Sequence, residues 1–134
     1  MIRGYRFVLL LLLGVFISSC ESTLEPALPV GAVPFDPPAD YGVWWNEVEA
    51  CSGLKGDFRS VQWYEMPGST AFEYGGVRNI QGRWSPQGNT ITLAERLMSD
   101  SMLVRHEELH ALLHSGEHPA LYFGTRCGAL VYPG

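Results

Sequence analysis

A chain of 134 residues holds one folded domain at most. Its formal charge is −5 with no Lys/Arg cluster anywhere, which argues against a nucleic-acid partner and against membrane attachment through a basic surface. All four histidines fall within residues 105–119, "RHEELHALLHSGEHP", so any imidazole chemistry is confined to that stretch.

The N-terminus reads as an export signal. Arg3 and Arg6 form a positive start, and Phe7 to Ile17 is an apolar run broken only by Gly14. That run is short for a membrane-spanning helix. The following Ile17-Ser18-Ser19-Cys20 resembles the bacterial lipobox. The resemblance implies a lipoprotein signal peptide over residues 1–19, a lipid on Cys20, and a lipid-anchored protein of the bacterial cell envelope. Glu21, where an aspartate often marks inner-membrane retention, favours the periplasmic side of the outer membrane in a Gram-negative source. Loss of Arg3 and Arg6 with the signal takes the net charge to about −7. Residues 20–39 hold five of the nine prolines and no strand or helix period, the signature of an extended tether.

The folded domain is then expected over residues 40–134. Asp40 is suited to cap a helix through about Cys51 that carries Val43, Trp44, Trp45 and Val48 to a core. Strands are expected over Ser60 to Met66, around Val77–Trp84, and over Asn89–Glu95. The last, "NTITLAE", alternates Ile91 and Leu93 with polar residues, which predicts one buried and one accessible sheet face. Ser99-Asp100-Ser101 supplies capping side chains for a second helix to about His114, and Gly116 is placed to be its left-handed terminator. The class is therefore α+β, a sheet of about three strands packed on two helices. With Cys20 assigned to lipid, Cys51 and Cys127 are an even pair in an exported domain, which suggests a disulfide worth roughly 4 kcal/mol. Two buried thiols, or zinc ligation by either, are the alternatives.

On the second helix, His106 and His110 lie one turn apart beside the apolar stripe, so their imidazoles can converge on one zinc ion. With Glu107 between them they form the pattern His-Glu-x-x-His, in which the glutamate takes a proton from a water activated by the metal. A catalytic zinc needs a third protein ligand. His114 lies about 12 Å from His106 along a straight helix and serves poorly. His118 follows the expected turn at Gly116 and can fold back, and Glu117 is the competing ligand. Glu108 falls on the far side of the wheel and reads as a surface charge. Arg105 and Arg126 read as salt-bridge partners, and Tyr122 as a core tyrosine.

This segment resembles the active-site helix of zincin metallopeptidases, and is similar to their small single-domain, SprT-like forms. It lacks the metzincin glycine and histidine, having Leu113 and Gly116 there, and the downstream glutamate helix of thermolysin-like enzymes. The resemblance implies a small zincin-like domain, Zn2+ on His106, His110 and His118, Glu107 as general base, a peptide or protein substrate, and "NTITLAE" as the strand along which substrate lies. The alternative from another class is a non-catalytic metal-binding or structural lipoprotein of the same shape.

Overall fold

The computed structural model describes residues 28–133; the expected signal peptide, Cys20 and the first part of the Pro-rich segment lie outside them. Helix α1 spans Ala39–Ser52 and buries Tyr41, Trp45, Val48 and Ser52, a spacing that puts all four on one face. Pro38 stands at its N-cap, with Asp40 in the first turn and not at the cap. It stops at Gly53, whose φ of 77° lets its N–H reach back to the Glu49 carbonyl at 2.9 Å.

Four strands form a mixed sheet in the order β1 (Val33–Pro34), β2 (Gln62–Met66), β6 (Thr90–Ala94), β5 (Gly82–Ser85). β6 runs parallel to β2 and antiparallel to β5. Strand β1 pairs Val33 with Glu65 and Pro34 with Tyr64. The expected tether is thus part of the sheet by residue 33, and proline is tolerated because β1 is an edge strand. A separate hairpin, β3 (Phe72–Tyr74) and β4 (Val77–Ile80), turns through Gly75 and Gly76, both at positive φ. The single strand expected around residues 77–84 is therefore two strands, and β3 was not anticipated.

Helix α2, Ser101–Leu113, packs on β5 and β6 and against α1. Asp100 caps it, its Oδ1 accepting from the Met102 and Leu103 N–H groups at 3.0 and 3.2 Å. The main core lies between the helices and the sheet, with Trp45, Trp63, Trp84, Ile91, Leu93, Val104, Leu109 and Phe123 buried in it. Strand β6 has no accessible face: Thr90 and Thr92 are buried along with Ile91 and Leu93. A second small cluster of Phe72, Tyr74 and Ala94 forms where the β3–β4 hairpin meets the sheet. Cys51 and Cys127 are joined in a disulfide, which ties the end of α1 to the C-terminal segment. Among the described residues no helix is long and apolar enough to cross a membrane.

Candidate metal centre

The site is built on the last two turns of α2 and the loop after it. His106 and His110 stand one turn apart, and the chain leaves the helix at His114, which adopts the left-handed conformation with φ 50°. This corrects the expected stop at Gly116, which is absent from the positive-φ positions and would accommodate a Cβ without contact. The turn comes two residues earlier, on a residue that pays for it in backbone strain. It carries Ser115 to Pro119 back across the end of the helix.

Three imidazoles meet as a result. The Nε2 atoms of His106 and His110 are 3.1 Å apart, those of His110 and His118 3.2 Å, and those of His118 and His106 3.1 Å. A tetrahedral zinc with Zn–N near 2.1 Å holds its nitrogens about 3.4 Å apart, so this triangle is within a few tenths of an ångström of ligand spacing. The tautomers point the same way. His106 Nδ1 lies 2.8 Å from the Tyr132 carbonyl and His110 Nδ1 2.8 Å from the Ser115 carbonyl. A carbonyl only accepts, so both Nδ1 atoms carry the proton and both Nε2 atoms of the neutral rings present lone pairs to each other. Converging lone pairs repel until a cation lies between them. His106, His110 and His118 are thus a group able to hold a metal ion. Burial lowers the pKa of His106 and pushes that of His110 down to about 4, which keeps these rings in the ligating form.

A floor lies under the triad. The Phe123 ring centroid is 4.9 Å from that of His106 and 4.8 Å from those of His110 and His118. Phe123 sits in a single wide helical turn, Leu121–Arg126, closed by the Cys127 N–H bonding to the Tyr122 carbonyl at 2.9 Å. No spacing in the sequence marked it.

Glu107 faces β5. Its Oε2 accepts from the Trp84 N–H at 2.7 Å, and a Cβ on Gly82 would come within 3.0 Å of its Oε1. Glycine at 82 is what admits the carboxyl to the strand. Glu107 is 4 % exposed, and burial pushes its carboxyl up to about 8, against the opposing pull of the Trp84 N–H and the Arg83 charge. Both groups border one cleft of about 440 Å³, lined by Gly82, Arg83, Trp84, the three histidines and Glu117.

Other expectations resolve differently. Glu117 lines the cleft but lies outside the histidine cluster. His114 also lines the cleft, as the helix cap. Glu108 is fully buried, not a surface charge, because α1 covers that side of α2. Arg105 pairs with Glu47 at 2.5 Å, and Arg126 donates to the Ser52 carbonyl at 2.7 Å. Tyr122 is half-buried against the core and lies 5.4 Å from the Arg126 guanidinium. "NTITLAE" cannot receive a substrate strand, since β6 is bonded on both sides. The edge beside the site is β5, where Gly82 and Trp84 turn their backbone groups away from β6. Comparison with protein-family models, with curated proteins and with solved structures gives no match to this chain.

Proposed function

We propose that the chain is a zinc-dependent peptidase, with the ion held by His106, His110 and His118 and with Glu107 as general base. The observation that carries this reading is the convergence of three Nε2 atoms at 3.1 to 3.2 Å, with two Nδ1 atoms committed to carbonyls and a carboxyl beside them. Bound zinc supplies Lewis acidity, polarising a carbonyl and lowering the pKa of water. Glu107 is held as the neutral acid by burial alone, and a divalent cation beside it favours the carboxylate, the form that accepts a proton. Trp84 fixes one carboxyl oxygen, so the other takes the proton and returns it to the leaving amine. An extended peptide laid along the outer edge of β5 passes directly over Glu107. The same proposal places the domain at the bacterial envelope, on a lipid carried by Cys20.

A second reading is a metal-binding structural lipoprotein without catalysis. It is favoured by the burial of Glu107 and its bond to Trp84, which also suit a packing role. One experiment separates the two. Zinc content and peptide-library cleavage are measured on wild type, Glu107→Gln and His118→Ala. The peptidase reading expects one zinc in wild type and in Glu107→Gln, at least a hundred-fold loss of cleavage in the latter, and loss of zinc in His118→Ala. A zinc-loaded wild type that cleaves nothing leaves only the structural reading. A zinc-free wild type removes both.

A further inference from the structure

Arg83 stands apart from the other cations. Among the described residues, Lys55, Arg59, Arg78 and Arg105 each pair with a carboxylate, while Arg96 and Arg126 donate to backbone carbonyls. Arg83 does neither. Its guanidinium carbon lies 4.4 Å from the centroid of the Tyr74 ring, and its Nε is buried without an acceptor. The residue lines the cleft that holds the three histidines and Glu107. Neither carboxylate of that cleft, Glu107 or Glu117, forms an ion pair with it.

Leaving a guanidinium half-buried without an anion is costly, and proteins retain such groups where a ligand completes them. Packing on an aromatic face fixes the plane of the group, and leaves its edge N–H groups for a fork of two oxygens. Arg83 belongs to β5, between Gly82 and Trp84, the two residues that border Glu107. A peptide running along that edge therefore carries its groups past the guanidinium within about a residue of the reacting position.

We propose that Arg83 is the specificity residue of the cleft and receives a carboxylate of the substrate, so that preferred substrates are peptides with a free carboxylate beside the cleaved bond. This rests on the peptidase reading above. The carboxylate is either the chain terminus or an Asp or Glu side chain; both offer the same pair of oxygens.

Binding to zinc-loaded Glu107→Gln, in which hydrolysis is stopped, separates these. Three probes suffice: N-acetyl-Ala-Gln-Ala as the amide, the same peptide as the free acid, and N-acetyl-Ala-Glu-Ala as the amide. One charged probe is expected to bind roughly tenfold more tightly than the neutral one, and which of the two does so identifies the carboxylate. Adding Arg83→Met abolishes the preference with zinc content unchanged. Arg83→Lys, which keeps the charge but loses the fork, retains part of it and serves if the methionine variant fails to fold. Equal affinity for charged and neutral probes, absence of binding included, overturns the proposal, as does a preference that survives Arg83→Met. Cleavage by wild type without a carboxylate preference ends the role of Arg83 and leaves the peptidase reading standing. A preference in a protein that cleaves nothing does the reverse.

Discussion

Glu107 and Glu108 are adjacent carboxyls on one helix with opposite surroundings. Glu107 has a backbone N–H on one oxygen and borders the cleft. Glu108 is 0 % exposed, and neither of its oxygens has a hydrogen-bond partner among the described residues. Burial raises its pKa to about 9, with Arg105 pulling it down and Glu47 pushing it up. At neutral pH it is a buried neutral acid. The linkage sign follows: a carboxyl whose folded pKa lies above its unfolded value near 4.5 binds more protons folded, so its contribution to stability is full below that value and is lost as pH rises towards 9. Replacing it with an apolar side chain of similar volume removes both the desolvation cost and this slope. Glu108→Met is therefore expected to be at least as stable as wild type near pH 5 and to exceed it by a wider margin, about 1–4 kcal/mol, at pH 9, read from urea unfolding at the two pH values on metal-free protein. A wild type whose stability does not fall between these pH values, or a methionine variant that falls in parallel, contradicts the neutral-acid state.

Helix α2 was legible because its signals are local. Asp100 at the cap and the paired His106 and His110 are set by chain spacing of a few residues. Its end was less so: a glycine was available at 116, yet His114 makes the turn, because the carbonyl of Ser115 must reach His110 Nδ1 and a later turn would not return it there. The floor under the triad was not legible, since Phe123 meets the histidines only through the wide turn at Leu121–Arg126. Arg83 and Gly82 were missed for the same kind of reason: their partners come from α2 and β3, distant in the chain. The turn that holds Phe123 ends at Cys127, and Cys127 is bonded to Cys51. Releasing that bond is expected to loosen the turn that carries Phe123, a turn that holds none of the three histidines. Phe123→Ala, and reduction of the disulfide in wild type, are each expected to weaken zinc binding by roughly 10–100-fold, as loss of groups supporting metal ligands commonly does. Competition with a chromogenic chelator measures this, before and after reduction. Reduction that changes stability by the usual 2–5 kcal/mol but leaves zinc affinity intact would confine the disulfide to a structural role.

At the scale of the whole molecule, both ends of the described chain are used to finish the fold. Val33 and Pro34 extend the sheet beyond β2, with the Phe35 N–H reaching the Trp63 carbonyl at 3.1 Å, although prolines there suggested a free tether. The last residues return to α2 at two points. The Tyr132 carbonyl accepts from His106 Nδ1, and the Tyr132 hydroxyl donates to Asp100 Oδ2 at 2.8 Å, while the other oxygen of Asp100 caps the helix. One residue thus ties His106 of the triad to the start of its own helix, with Val131 fully buried just before it. The two bonds are separable by design, since one is made by backbone and the other by side chain. Tyr132→Phe removes only the hydroxyl, which is exposed at its end, and is expected to leave zinc affinity within a few-fold of wild type. Removing residues 132–134 takes away the carbonyl that holds His106 in its ligating tautomer, and is expected to lower zinc affinity by roughly 10–100-fold while the urea midpoint of the metal-free protein moves little. If the truncated chain binds zinc as tightly as wild type, water serves as well as the carbonyl and the tail has no part in the site. If Tyr132→Phe alone reproduces the loss, the restraint acts through Asp100 and the helix start, and not through the imidazole.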